Sequence, residues 1–340
     1  MQTSDFFTRV PTPDAEAAAR LHDEMVAHHL DLGGLGTLAA NLAAMAARRT
    51  SRFRTHVSAQ AGNPHLLSAY VQVFELDETP LISSFTSHPP QDFPQWLVDQ
   101  PGATITVTKA SAAATVPGSG ELTDEDVTAA LTHARTLAEQ ARDSGADVII
   151  PAVAGPGAST IGAILTGLAT RTEPVKVTGS GLGLPISDAQ WNDKVTVVRD
   201  GMFAARDLRT DPLAVLRQIS EFVHSSHVLT VSAFIAYCAI ESLPVLIDGP
   251  ATAGATVWAD RLAPGTHEYG MLATQSAEPS CGLVQGSLGL PVISPLTMRA
   301  AGGIAALSQL PLIRHSLQIM HQVSTSQELT GDIREGGSAE

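Results

Sequence analysis

The strongest constraint on the fold is a unit of short apolar strand, small-residue turn and helix that occurs twice in the chain. Residues 146–151 (ADVIIP) are an apolar run, and the small residues 154–160 lead from it into an apolar helix. Residues 243–248 (LPVLID) repeat this arrangement between a helical stretch at about 220–241 and a second helix at 249–258. Strands that alternate with helices pair in parallel, with helices on both faces of the sheet. This pattern predicts a doubly wound, Rossmann-like α/β fold with a mainly parallel sheet, which binds ligands at the carboxyl ends of its strands.

Local patterns add further elements to this fold. A helix is predicted over residues 122–144, because Thr123 followed three residues later by Asp126 is a capping-box-like pair. Several other stretches alternate, or are apolar, in the manner of strands. These additional predicted strands are residues 68–76, 103–110, 267–274 and 290–294.

Both ends of the chain are predicted to be helical. Residues 13–49 are rich in Ala and Leu and are divided by the glycines of residues 31–36, so we expect two helices, with Thr37 as the N-cap of the second. A last helix is predicted over residues 302–323. We expect the end helices to form a small helical domain. The predicted division is residues 1–60 for its first segment, 61–305 for the α/β nucleotide-binding domain, and 306–340 for the C-terminal helix and tail that complete the small domain.

The composition favours an ordinary globular protein of the cytoplasm. The chain has 34 acidic and 20 basic residues and no cluster of Lys or Arg, which argues against binding to nucleic acid. Cys238 and Cys281 lie among apolar or small neighbours, so both are expected to be reduced. The first residues lack a signal-peptide pattern, and no window approaches the roughly 20 apolar residues of a membrane span. We therefore expect a cytoplasmic protein whose partners include neither nucleic acid nor membrane.

Two glycine-rich segments are candidates for binding a phosphate. Residues 154–160 follow a predicted strand and open a helix, where free backbone N–H groups and the helix dipole favour an anion. The alternative interpretation is an ordinary tight turn between strand and helix. Residues 178–183 (TGSGLG) resemble a dinucleotide fingerprint only weakly, because no acidic residue ends a second strand at the expected distance. The candidate residues are Gly155, Gly157, Ser159 and Thr160 in the first segment and Gly179 and Gly181 in the second.

Three charged residues are further candidates for substrate binding. Lys194 follows the second glycine segment and can supply a point charge to a phosphate, although a solvated lysine is the simpler interpretation. Asp248 ends an apolar strand, and it either serves the site or caps the following helix. Glu278 lies between a predicted strand and Pro279, where the alternative is a turn carboxylate. The 12 histidines have no metal-ligand spacing, so no metal site is predicted.

The order of these motifs resembles the nicotinate-nucleotide:dimethylbenzimidazole phosphoribosyltransferase family. The phosphate loop of that family, Gly-Glu-Met-Gly-Ile-Gly-Asn-Thr-Thr, is matched by residues 152–160 (AVAGPGAST). Its Thr-Gly-Arg-Gly-Thr-Gly loop is matched by residues 178–183, and the lysine that follows by Lys194. The most specific similarity is the run PVLIDG, APG, QSAEP, LGLPVI and Met-Arg between residues 244 and 299. The resemblance covers about residues 120–325.

This resemblance implies a pentosyltransferase of cobalamin biosynthesis. Such an enzyme transfers the phosphoribosyl group of nicotinate mononucleotide to 5,6-dimethylbenzimidazole or a similar base, which gives α-ribazole 5′-phosphate and nicotinate. The glycine segments, Lys194, Asp248 and Glu278 are then expected to bind the substrates, with no metal or redox cofactor. A C-terminal glutamate is the general base in the family. Gln327 or Glu328 takes its place here, and Glu328 is the predicted catalytic residue. The resemblance also implies a homodimer.

Departures from the family pattern support a second interpretation. Val153 replaces the glutamate of the phosphate loop, and the Ala-Asp-His-Gly segment of the base pocket has no counterpart between residues 68 and 111. A different acceptor base fits these changes. So does a non-catalytic homologue that binds a nucleotide and acts as the partner subunit of an active enzyme. The sequence leaves the acceptor base and the oligomeric state open.

Overall fold

The centre of the fold is one parallel sheet. The computed structural model describes residues 3–27, 33–46, 69–76, 103–109, 121–181 and 186–316. The strands are β1 (Ala69–Glu75), β2 (Ala103–Lys109), β3 (Val148–Ala154), β4 (Val245–Ile247), β5 (Gly270–Ser276) and β6 (Val292–Met298). In the described residues they form a six-stranded sheet of order β2-β1-β3-β4-β5-β6 in which every pair is parallel. The predicted doubly wound α/β fold is confirmed.

Helices connect the strands and cover the sheet. They are α1 (Ala15–Ala27), α2 (Gly34–Ala46), α3 (Asp124–Asp143), α4 (Ala158–Thr170), α5 (Pro174–Val177), α6 (Asp188–Ala204), α7 (Pro212–Phe222), α8 (His227–Ile240), α9 (Gly249–Leu262) and α10 (Pro279–Leu288). Residues 304–316 form a further helix, α11. Short 3-10 helices lie at Thr3–Asp5, Arg206–Leu208 and Thr266–Tyr269. None of the helices described is both long enough and apolar enough to cross a bilayer.

The strand order changes direction at β1, which lies between β2 and β3. Such a point leaves a crevice at the carboxyl ends of the two strands that diverge there. Directly after β1, the backbone N–H of Leu76 donates to the carbonyl of Ala154 at the end of β3, at 2.8 Å. This bond fixes the start of the loop after β3 at the carboxyl edge of the sheet.

Strand β3 is longer than predicted because Pro151 does not end it. The N–H of Ile149 donates to Pro244 on the β4 side, at 2.8 Å. Two residues later Pro151 faces the same side and has no N–H to donate. The pairing of β3 with β4 is accordingly confined to Ile149 and Val245, while the pairing with β1 continues through Pro151 to Ala154.

The helical stretch predicted at about 220–241 is helical over 227–240, but the chain forms two helices, α7 and α8, with a break at residues 223–226. In the break, His224 has a φ of +54°, a left-handed conformation that few residues other than Gly adopt. The N–H of Ser225 closes the end of α7 by donating to Ser220 at 2.9 Å. The polar residues 224–227 (HSSH) interrupt the apolar pattern at this point, so the sequence does contain a sign of the turn.

The other predicted boundaries are close to the observed ones. The capping box is confirmed, since Thr123 Oγ1 accepts from the N–H of Asp126 at 3.1 Å and Asp126 Oδ2 accepts from the N–H of Thr123 at 2.8 Å. The strands expected at 267–274 and 290–294 begin two or three residues later, in β5 and β6. Thr37 is not an N-cap, because α2 begins at Gly34 and the Thr37 hydroxyl lies inside it.

Helices α4 and α9, which begin at the carboxyl edge of the sheet, pack closely against each other. A Cβ on Gly162 would lie 2.2 Å from the carbonyl oxygen of Pro250, so only glycine allows this approach. The indole of Trp258, fully buried, donates to the carbonyl of Leu165 across the same interface at 2.9 Å.

A separate small cluster of Leu21, Met25, Ala39 and Ala40 joins α1 to α2. The predicted division into domains stays a prediction.

Candidate functional site

The predicted site residues meet at the carboxyl edge of the sheet. Because the strands are parallel, the segments that follow them emerge on the same side. The edge thus brings together the loop after β3, Asp248 after β4, Glu278 after β5 and Arg299 after β6. These residues are separated by up to about 150 positions in the chain, and the sheet topology alone makes them neighbours.

The loop after β3 is shorter than predicted and consists of residues 155–157. Gly155 has a φ of +113°, and a Cβ there would lie 2.8 Å from the carbonyl oxygen of Leu76. Gly157 has a φ of +79° and stands at the N-cap of α4 without a side-chain cap. Ser159 and Thr160 belong to the first turn of α4, and Thr160 is buried. Uncapped N–H groups at a helix start favour an anion, as expected for this loop.

Helix α6 holds the second glycine segment, of which the structure describes residues 178–181. The indole of Trp191 donates to the carbonyl of Thr178 at 3.3 Å, and the ammonium of Lys194 donates to the carbonyl of Gly179 at 3.1 Å. Gly181 has a φ of +92°, which suits glycine. The remaining glycine of the segment, Gly183, lies outside the described residues.

Lys194 is buried, which overturns the simpler interpretation of a solvated lysine. Its side chain is 2% exposed. Its Nζ donates to Ser159 Oγ at 2.9 Å as well as to Gly179, so one ammonium ties both glycine segments together. Burial lowers the pKa of Lys194, and the charge of Glu278 acts in the opposite direction.

Glu278 is a buried carboxylate and not a surface turn residue. Its Oε1 accepts from the N–H of Gly181 at 2.9 Å, and its Oε2 lies 3.8 Å from Lys194 Nζ. Oε2 is buried and has no hydrogen-bond partner among the described residues. A Cβ on Gly179 would lie 2.3 Å from this atom. Glu278 and Lys194 therefore hold the segment 178–181 from two sides.

Asp248 caps a helix, but not the helix that follows it. Its side chain makes no capping bond to α9. Its Oδ2 instead accepts from the N–H groups of Ala305 at 3.0 Å and Ala306 at 3.3 Å, at the start of α11. Burial raises the pKa of Asp248 to about 7, against the lowering effect of the backbone hydrogen bonds from Ala306, Ala305 and Gly303. Whether Asp248 also binds substrate stays a prediction.

Two further predictions concern the catalytic base and the metal site. Glu328 and its alternative, Gln327, lie outside the described residues. The residues that the structure does describe contain no group of three or more His, Cys, Asp or Glu side chains able to hold a metal ion.

Arg299 is a residue of this edge that the sequence analysis did not single out for the site. Its guanidinium donates from Nη1 to Ser180 Oγ at 3.3 Å, although the two residues are 119 positions apart. The signal in the sequence was a basic residue five positions after a predicted strand in an acidic chain. A basic residue at this position indicates a site residue only once the glycine segment 178–181 is known to lie beside the end of β6.

Comparison with known proteins agrees with this arrangement. A family model described as phosphoribosyltransferase matches residues 103–329. This segment includes the glycine loops and every charged residue of the edge described above. The match to this family model shows that the parallel α/β sheet, with these loops at its carboxyl edge, belongs to a protein of the phosphoribosyltransferase class.

The similar proteins are named nicotinate-nucleotide–dimethylbenzimidazole phosphoribosyltransferases. The one from Mycobacterium tuberculosis is 31% identical over 95% of this chain and 93% of its own length. The one from Corynebacterium glutamicum is 39% identical over 60% of this chain, and the match spans 55% of the curated protein. The crystal structure of CobT from Thermus thermophilus has the same fold, with a TM-score of 0.69 and 19% identity over 90% of this chain and 96% of that chain. The chain belongs to the nicotinate-nucleotide–dimethylbenzimidazole phosphoribosyltransferase family, and the resemblance seen in its motifs is confirmed.

Proposed function

We propose that this protein transfers the 5-phosphoribosyl group of nicotinate mononucleotide to 5,6-dimethylbenzimidazole or a similar base. The products are α-ribazole 5′-phosphate and nicotinate, as in cobalamin biosynthesis. The observation that carries the proposal is the joining of two glycine segments by Lys194, within a segment that matches the family model. The relatives named for this reaction support the choice of substrates.

The donor phosphate is expected to rest on the backbone at the carboxyl edge. Gly155 and Gly157 have left-handed conformations that leave their N–H groups without an intervening side chain, whereas the N–H of Gly181 already donates to Glu278. Ser159 and Thr160 lie in the first turn of α4, where the helix dipole favours an anion. Binding energy at the phosphate then positions C1′ of the ribose for attack.

The transfer needs one proton acceptor. A ring nitrogen of the acceptor base donates its electron pair to C1′ from the face opposite to nicotinate, so the configuration inverts to α. The bond between C1′ and the pyridinium nitrogen breaks, and its electron pair neutralises the departing ring. The acceptor base loses its N–H proton, which a carboxylate of suitable pKa takes up. We assign that role to Glu328.

The test is an incubation of the purified protein with nicotinate mononucleotide and 5,6-dimethylbenzimidazole, followed by chromatography. Equal amounts of nicotinate and α-ribazole 5′-phosphate are expected. Glu328→Ala is expected to lose turnover while it retains nucleotide binding, and Gln327→Ala, the neighbouring control, is expected to keep both. Unchanged turnover in Glu328→Ala would remove Glu328 from the mechanism.

A second candidate is a non-catalytic homologue that binds the nucleotide as a partner subunit, or one that uses another acceptor. It is favoured by Val153, an apolar and buried residue at the end of β3 where the family loop has glutamate. Nucleotide binding without turnover of any acceptor base would support the partner subunit. Turnover with adenine or a phenol but not with the benzimidazole would indicate an altered acceptor.

We also propose that the protein works as a homodimer in the cytoplasm. The amphipathic helix α1 and the apolar helix α2 offer a surface for a second copy, and Val26 on α1 is 57% exposed. Light scattering coupled to size-exclusion chromatography would measure the mass, and a monomer at micromolar concentration would reject the dimer. Cell fractionation would test the compartment.

A further inference from the structure

Arg299 presents an unused cationic group at the site. It directly follows β6, and its guanidinium donates one hydrogen bond to Ser180 Oγ, at 3.3 Å. The side chain is exposed. In the described part of the chain no carboxylate lies within ion-pair distance of it, whereas the exposed arginines Arg135 and Arg199 each pair with an acidic neighbour. A guanidinium has five N–H donors, so most remain available to a ligand.

Lys194 is less suited to neutralise a bound anion. Its ammonium already donates to Ser159 and Gly179, and Glu278 lies 3.8 Å away. The carboxylate balances the ammonium charge inside the protein. A cation from another part of the edge would therefore strengthen the binding of an anion over the glycine segments.

The segment that carries Arg299 is fixed across the carboxyl edge. A Cβ on Gly249 would lie 2.5 Å from the Cβ of Ala301, and a Cβ on Gly302 would lie 3.5 Å from the carbonyl oxygen of Val153. Residues 299–303 thus run from Ser180 to the end of β3, where the first glycine loop begins. The backbone that follows Arg299 thus packs against Gly249 and the end of β3, so the guanidinium beside Ser180 is not carried on a freely moving loop.

We propose that Arg299 binds an oxyanion of the donor nucleotide with the donors that remain beside Ser180. The proposal rests on the proposed function, because it takes nicotinate mononucleotide as the ligand. That nucleotide carries two anionic groups, a phosphate and a ring carboxylate. A planar guanidinium binds either of them through paired N–H···O bonds.

The experiment measures dissociation constants by isothermal titration for the unmodified protein and three variants. Arg299→Gln is expected to weaken binding of nicotinate mononucleotide by about 10- to 100-fold, the usual effect of losing a hydrogen bond to a charged group. Arg299→Lys, which keeps the charge but not the planar fork, is expected to lose less. Arg135→Gln removes the same charge from an exposed ion pair on α3 and is expected to leave binding unchanged.

Two further ligands identify the group that Arg299 contacts. Nicotinamide mononucleotide has no ring carboxylate, and nicotinate riboside has no phosphate. If the Arg299→Gln penalty disappears with the riboside, the contact is with phosphate, and if it disappears with nicotinamide mononucleotide, the contact is with the carboxylate; both results support the proposal. An unchanged affinity for nicotinate mononucleotide, or an equal penalty for all three ligands, would overturn it. Failure of the unmodified protein to bind nicotinate mononucleotide would overturn the proposed function as well.

Discussion

The carboxylate of Glu278 lies 3.8 Å from the ammonium of Lys194, and the two side chains are 1% and 2% exposed. Each also holds the backbone of the glycine segment, Glu278 through the N–H of Gly181 and Lys194 through the carbonyl of Gly179. The pair is therefore both a buried charge balance and a clamp on residues 178–181. Its two roles lead to separate predictions.

The first prediction concerns the charge balance. Lys194→Met and Glu278→Gln each leave the other group as an uncompensated buried charge, which costs about 3–5 kcal/mol of the free energy of unfolding. The double variant is expected to lose less than the sum of the two, by at least about 1 kcal/mol. Urea denaturation of the four proteins measures this coupling, and additive losses would contradict it. The exposed pair of Arg135 and Glu139 is the control, since Arg135→Met is expected to change stability by less than about 1 kcal/mol.

The second prediction concerns the clamp. In Gly179→Ala the new methyl group would lie 2.3 Å from Glu278 Oε2, so the segment or the carboxylate must move. We expect a loss of about 1–3 kcal/mol in stability and weaker binding of nicotinate mononucleotide. Gly282→Ala is the matched control, because a Cβ there meets nothing within 4 Å inside α10, and it is expected to keep nucleotide affinity and to gain up to about 1 kcal/mol. Thermal unfolding and titration measure both, and equal behaviour of the two variants would count against the clamp.

The third prediction is a pH dependence that comes from Asp248. Burial raises its pKa to about 7, so the folded state holds a proton that the unfolded chain releases near pH 4. The folded protein therefore binds more protons between about pH 4 and pH 7, and the contribution of Asp248 to stability falls as the pH rises through this window. The nearby Cys281 thiol stays neutral there, because burial raises its pKa to about 12.

Asp248→Asn isolates this contribution, since the amide oxygen still accepts from Ala305 and Ala306 but does not titrate. The free energy of unfolding of the unmodified protein, minus that of Asp248→Asn, is expected to fall from pH 4 to pH 7 by up to about 4 kcal/mol and to level off above pH 7. Urea denaturation at a series of pH values measures the difference. A difference that is flat, or that rises with pH, would show that Asp248 is ionised in the folded protein at pH 4.

The sequence predicted the elements whose signals are local. The unit of β3, glycine loop and α4 is visible as an apolar run followed by small residues, and the capping box of Thr123 and Asp126 is visible as a pair three residues apart. Interactions between distant residues are not visible in this way. Asp248 binds N–H groups 57 and 58 positions away, and no local pattern reveals that the helix it caps is α11 instead of α9.

The burial of Lys194 also depends on residues that are distant in the sequence. On α6 it follows Asn192 and Asp193 and precedes Val195, a mixed local pattern that does not decide between a solvated and a buried lysine. Its partners Ser159 and Glu278 come from other elements. Site residues were thus predicted by type, from glycines and charges near strand ends. Their roles depend on the strand order, which brings the ends of β3, β5 and β6 to one edge.

The fourth prediction tests whether helix packing maintains that edge. Gly162 on α4 faces the backbone of Pro250 and Ala251 at the start of α9, where a Cβ would lie 2.2 Å and 2.7 Å from the nearest carbonyl oxygen and amide nitrogen. Backbone atoms in a helix cannot turn aside as a flexible side chain can, so Gly162→Ala must separate the two helices. Overpacking of this kind costs about 1–3 kcal/mol or more.

The consequence extends to the site, because α4 begins directly after Gly157 and α9 directly after Asp248. Gly162→Ala is therefore expected to weaken nicotinate mononucleotide binding in addition to lowering the midpoint of urea unfolding. Gly286→Ala on α10, where a Cβ meets nothing within 4 Å, is expected to do neither. If Gly162→Ala is less stable but binds the nucleotide as well as the unmodified protein, the packing of α4 on α9 supports the fold without setting the geometry of the glycine loops.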